Sequence, residues 1–110
     1  MTFECAEKYC ASLNAHLIEF STQAQKDFLK QKIITMHSMD SSLSTGYVWW
    51  LNLGYRADGK WYWNKSNNLC GFGNCWNLAG AGGVAALHSN GENVGDQGKS
   101  VLNYPICQIL

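Results

Sequence analysis

The sequence predicts an α+β fold: two helices first, then small antiparallel sheets joined by long loops. Three observations carry this. Apolar residues recur at helical spacing only in the first third of the chain, in two separate stretches. After Gly46 the chain turns to aromatic and aliphatic runs with a turn dipeptide between them. Between the later runs lie stretches rich in Gly and Asn with little periodicity.

The elements follow in order. Thr2 can cap a first helix, with Phe3, Ala6, Cys10 and Leu13 at helical spacing and Asn14 as its stop. His16 to Phe20 is a short β-prone stretch. Ser21 or Thr22 starts a second helix, with Gln25 completing a capping box behind Thr22. Ala24, Phe28, Leu29 and Ile33 supply its apolar face, and His37 to Thr45 reads as a loop. Tyr47 to Leu53 is a buried strand. Asp58-Gly59 is a hairpin turn signal. Lys60 to Trp63 returns, with Trp61 and Trp63 on one face because strand side chains alternate. Residues 64–83 form a long ordered loop. Val84 to Leu87 is a strand, His88 to Lys99 a second loop, and Val101 to Leu110 a final strand. The only proline, Pro105, marks an edge or bulge in it.

The 110 residues fit one domain, 1–110. Hydrophobic residues make up 46% and charged residues 15%, which excludes a disordered chain. The formal net charge is zero, which argues against a phosphate-backbone binder, so no nucleic-acid partner is expected. No apolar run approaches the roughly 20 residues that span a bilayer, so no membrane insertion is expected in this segment. Met1 to Glu4 shows neither a basic nor an apolar leader region. The chain has five cysteines and no CxxC pair, so disulfides are a better reading than zinc. That places the protein in an oxidising, secreted or extracellular setting. Asn64-Lys65-Ser66 is an N-glycosylation sequon in a predicted surface turn.

Several segments together resemble the C-type lectin-like domain. Phe3 to Cys10 is similar to that family's first-helix pattern, with Phe3 where a Trp is usual. Cys10 followed by Ala15-His16-Leu17 resembles its Cys then Gly-Ala-His-Leu segment, and Ser21 to Leu29 its second helix. Trp50-Leu51-Asn52-Leu53 resembles Trp-Ile-Gly-Leu, with Asn52 replacing Gly. Trp61-Tyr62-Trp63 resembles the Trp-x-Trp strand. Asn74-Cys75-Trp76 resembles the Asn-Trp step with one residue inserted, and Tyr104 to Gln108 the closing Tyr-Ile-Cys-Glu strand. The resemblance covers nearly the whole chain. It implies a C-type lectin-like fold, lacking the usual strand before the first helix, and a Cys10–Cys107 disulfide. A bridge closing a loop that long contributes on the order of 4–5 kcal/mol on the chain-entropy model. The family's second bridge would join the start of the Val84 strand to a position near Lys99, and neither place holds a cysteine. Cys70 and Cys75 are expected to clip the long loop locally. Cys5 is left over, either as a free thiol or as a link to an upstream segment or a second chain, a disulfide-linked partner.

The resemblance also implies where function should lie. Sugar-binding members carry Glu-Pro-Asn or Gln-Pro-Asp in the long loop, and calcium needs six to eight oxygen ligands. Here the loop runs Trp76-Asn77-Leu78-Ala79-Gly80-Ala81-Gly82-Gly83, without carboxylate or proline. Asp96 falls where one ligand is expected, with Glu92 and Asn93 close by. No resident cofactor and no tight calcium site are expected, leaving weak Ca2+ at most. The candidate ligand-binding residues are Trp76, Asn77, Asn67, Asn68 and Asn90, on the loops 64–83 and 88–99. Trp76 also reads as a core residue beneath the long loop, and Trp49, Trp50, Trp61 and Trp63 read as core. His16, His37 and His88 are far apart and accompany no nucleophile motif, so no enzyme is expected. The expected role is non-catalytic recognition of a glycan or protein ligand; the alternative is a structural or adhesion module acting through protein contacts or oligomers.

Overall fold

The computed structural model describes residues 1–39, 46–70, 83–89 and 94–109. Helix α1 spans Phe3–Ser12. The Thr2 hydroxyl accepts from the Cys5 N–H at 3.3 Å, satisfying one of the first-turn donors. Asn14 stops the helix in the left-handed region at φ 57°, which Asn tolerates better than most side chains. Phe3, Ala6 and Cys10 are buried. Leu13, expected on the same face, is 49% exposed, because it is the C-cap and no longer follows the helical repeat.

Helix α2 spans Gln23–Met39. Thr22 caps it by accepting the Gln25 N–H at 3.1 Å. The return bond of Gln25 goes one residue further back than a capping box, from the Ser21 N–H to Oε1 at 2.8 Å. The helix continues through His37, Ser38 and Met39, which the sequence reads as loop. The Thr35 and Ser38 hydroxyls bond back to the carbonyls of Gln31 and Thr35, so polar residues sit on a helix without breaking it. Only Leu29 and Ile33 are buried on α2. Ala24 and Phe28 are exposed, which corrects the expected apolar face.

The strands are β1 (Ala15–Leu17), β2 (Tyr47–Tyr55), β3 (Trp61–Trp63), β4 (Val84–His88), β5 (Val94–Gln97), β6 (Tyr104–Pro105) and β7 (Cys107–Ile109). β1 pairs antiparallel with β7, Leu17 opposite Cys107. The larger sheet runs β3-β2-β4-β5, and β6 lies parallel to β2. β5 lies within the predicted 88–99 loop. Its short, half-polar sequence carries no period-2 signal, and its pairing with β4 defines it. The predicted single closing strand is two, because Pro105 has no N–H to continue a ladder. The turn at Asp58-Gly59 closes with the Gly59 N–H donating to the Arg56 carbonyl at 2.9 Å, and Gly59 takes φ 80°.

β2 is buried on both faces, which is why its sequence is nearly all apolar. Alternation sends Trp49, Leu51 and Leu53 into one core with Leu29 and Ile33 of α2 and with Trp61 and Trp63. It sends Trp50 into a second core with Phe3, Ala6 and Cys10 of α1. Trp49, Trp50, Trp61 and Trp63 are all buried. Cys10 and Cys107 are joined, with Cα atoms 5.3 Å apart. Where the family's second bridge would lie, the Lys99 side chain reaches to Gly83, its Cε 3.9 Å from where a Cβ on that glycine would sit.

Candidate functional site

The residues expected to bind ligand or metal, to carry a glycan or to clip the long loop divide into three groups. Asn64, Asn67 and Asn68 share one turn that follows β3. The Trp63 N–H donates to the Asn68 carbonyl at 2.9 Å, and the Asn67 N–H to the Trp63 carbonyl at 2.9 Å. Asn67 takes φ 62°, and its Oδ1 accepts from Arg56 Nη2 at 2.8 Å, so its acceptor atom is already engaged. Asp96 stands on β5 opposite Ala85 and is half-buried. Cys75, Trp76, Asn77, Asn90, Glu92 and Asn93 lie outside the described residues. Cys70, the expected partner of Cys75, is buried and disulfide-bonded. Among the described residues, no three His, Cys, Asp or Glu side chains gather as a metal site would require.

The turn after β3 is tied to β1 and β2 by a network the sequence does not announce. Glu19, just past β1, accepts from Asn52 Nδ2 at 2.7 Å, from the Lys65 N–H at 2.7 Å and from the Ser66 N–H at 3.2 Å. Asn52 is buried at 6% exposure, and its Oδ1 accepts from Asn64 Nδ2 at 3.2 Å. A buried amide is costly unless both ends are bonded, and here both are. The only sequence signal was Asn52 itself, a polar residue inside an apolar run.

The hairpin beyond Tyr55 is cross-linked at its tip by side-chain contacts. The Arg56 guanidinium lies over the Tyr62 ring, 4.5 Å from its centroid. The Tyr62 hydroxyl donates to Asp58, which with the Lys60 N–H holds the Asp58 carboxyl below its ordinary pKa. On α1, burial raises the Glu7 pKa, and Lys99 partly opposes it.

The three histidines stand on three elements. His16 Nδ1 bonds the Leu17 carbonyl at 2.7 Å. His37 packs edge-on to Trp49, 6.0 Å between centroids. His88 ends β4. The Ser38 hydroxyl beside His37 is engaged with the Thr35 carbonyl, and Asp40 lies outside the described residues.

Beside the Glu19 network lies a groove of about 370 Å³ between β1, the start of α2, the turn after β3 and β7. A second, apolar groove of about 560 Å³ runs between α2 and residues 106–108.

Comparison with known proteins places this geometry. The family model described as the lectin C-type domain matches residues 1–108. The fold is similar to that of the C-type lectin CEL-I from Cucumaria echinata, at 18% identity, 97% of this chain, 81% of that chain and a TM-score of 0.67. It is similar to the human scavenger receptor C-type lectin carbohydrate-recognition domain, at 18% identity, 97% and 81% coverage and a TM-score of 0.72. It is also similar to SPL-1 in its GlcNAc complex, at 23% identity, 96% and 78% coverage and a TM-score of 0.68. No curated protein sequence matches significantly.

Proposed function

The chain belongs to the lectin C-type domain family, whose members are non-catalytic recognition domains, and from that premise we propose that it is a secreted or extracellular domain binding a glycan or protein ligand through its long-loop face, without the usual calcium site. The observation that carries the calcium part is the loop itself. Residues 76–83 hold no carboxylate, and the one proline of the chain is Pro105. Asp96, with Glu92 and Asn93, leaves too few oxygen ligands for tight binding at neutral pH. Trp76, Asn77, Asn67, Asn68 and Asn90 are the proposed contact residues.

The extracellular setting is supported by the Cys10–Cys107 bridge and by the sequon at Asn64. Asn64 is exposed, and its Nδ2, the atom that would carry a glycan, uses one hydrogen on Asn52 Oδ1. The second hydrogen remains for the substituent.

The test is a glycan array run with and without EDTA. Binding that is unchanged by EDTA, or no glycan binding together with a protein ligand, fits the proposal. EDTA-sensitive sugar binding that Asp96→Ala abolishes overturns it. A second reading rests on Cys5, which is free and exposed on α1. It makes the domain an adhesion module linked to a second chain through that thiol. Non-reducing electrophoresis showing only monomer rules this out.

A further inference from the structure

We propose that the groove beside Glu19, which reaches the first residues of the long loop through Lys65, Ser66 and Asn68, is a ligand site that takes a neutral hydroxyl-rich molecule the size of a monosaccharide. Its volume, about 370 Å³, lies at the lower end of the range for small-molecule sites, roughly 300–1,000 Å³.

The chemistry follows from which atoms the protein has already used. The Ser21 N–H points at the Gln25 side chain at 2.8 Å. A backbone N–H only donates, so the atom facing it must be Oε1, and the Gln25 NH2 is the free end. The same logic applies to Gln108, whose Oε1 accepts from the Glu19 N–H at 3.3 Å. Both amide oxygens are therefore pinned by main chain, and both NH2 groups have no partner among the described residues. His16 Nδ1 faces the Leu17 carbonyl at 2.7 Å, and a carbonyl only accepts. Nδ1 must carry the proton, which makes Nε2 of the neutral ring an acceptor. Glu19 Oε1 accepts a single bond, from the Ser66 N–H, and keeps a lone pair.

The groove thus offers fixed donors beside fixed acceptors. A hydroxyl both donates and accepts, so several hydroxyls on one small ring match that mixture. Glu19 and Lys65, both lining the groove, are of opposite sign, which removes any net preference for an ion. Phe20 and Trp63 also line it, but they are buried against each other and form only its floor. The Gln25 and Gln108 amides are oriented before a ligand arrives, which lowers the cost of ordering them on binding.

The groove shares Asn68 with the proposed long-loop contacts, so its test turns on Gln25 and Gln108, which that reading does not include. Free D-glucose, D-galactose and N-acetyl-D-glucosamine are each titrated in EDTA into the uniformly 15N-labelled protein. The expected result is saturable shifts of the Gln25 and Gln108 side-chain NH2 signals and of the Lys65 and Ser66 amides, with millimolar affinity for at least one sugar. Gln25→Glu and Gln108→Glu each keep an oxygen facing the backbone donor, so the fold is preserved, but remove the NH2. Each is expected to weaken binding at least about fivefold, the loss of one hydrogen bond. The proposal is overturned if no sugar moves these signals at about 50 mM, well above a millimolar Kd. It is equally overturned if both variants bind as the parent does, or if the shifts map to residues 94–97 instead.

Discussion

Asn52 carries more than its place in a strand suggests. Its Nδ2 donates to Glu19 and its Oδ1 accepts from Asn64, so one buried amide holds the end of β1 and the turn after β3 against β2. Removing it leaves Glu19 short of a donor and Asn64 short of an acceptor. Asn52→Ala is expected to cost about 1–3 kcal/mol of unfolding free energy, read from the urea midpoint. Asn52→Asp should cost more, because a second carboxylate would then face Glu19 Oε2. Gly54 belongs to the same arrangement. A Cβ there would lie 2.7 Å from Asn64 Oδ1, so the glycine leaves room for the Asn64 side chain that reaches Asn52. An Asn52→Ala variant as stable as the parent would show that Glu19 is held by the main chain alone, through Lys65 and Ser66.

At the scale of elements, the two helices are legible to different degrees. α1 declares its cap, its face and its stop between Thr2 and Asn14. α2 declares its start, but its buried face is only Leu29 and Ile33. Phe28 at 67% exposure stands under Lys32 Nζ, 5.3 Å from the ring centroid. Ile33→Ala is therefore expected to lose about 2–5 kcal/mol, and Phe28→Ala about 0.5 kcal/mol or less, in parallel urea titrations. Equal losses would mean that Phe28 is covered in solution. The strands follow the same logic. β2 could be read from its apolar run because a strand buried on both faces has no polar alternation to hide it. β5 could not, because Val94 to Gln97 is four residues long and its identity as a strand lies in β4. The site was less legible than the fold. The asparagines after β3 were visible as a polar turn, but Glu19, Gln25 and Gln108 act through atoms set by distant backbone donors, which no local pattern encodes.

For the whole molecule, the decisive fact is that the chain's two ends meet. Met1 and Asn103 exchange main-chain bonds at 2.8 Å in each direction, and the Trp50 indole N–H donates to the Met1 carbonyl at 2.9 Å. The Cys10–Cys107 bridge, with a sequence separation of 97, closes the same junction covalently. These contacts act on different states. The hydrogen bonds stabilise the folded form and vanish on unfolding. The bridge persists and restricts the unfolded chain, which on the chain-entropy model contributes about 4–5 kcal/mol for a loop of this length. Domains of this size have total stabilities of about 5–15 kcal/mol. The double variant Cys10→Ala/Cys107→Ala should thus lose a large part of the total, about 4–5 kcal/mol. Its urea m-value should rise, because the unbridged chain expands further and exposes more surface. A fall in midpoint with an unchanged m-value would instead locate the loss in the folded state, around the Cys10 side chain packed with Phe3, Ala6 and Trp50. A loss below about 1 kcal/mol would mean that the unfolded ensemble already keeps its ends close, and that the non-covalent junction alone holds α1 to the closing strand.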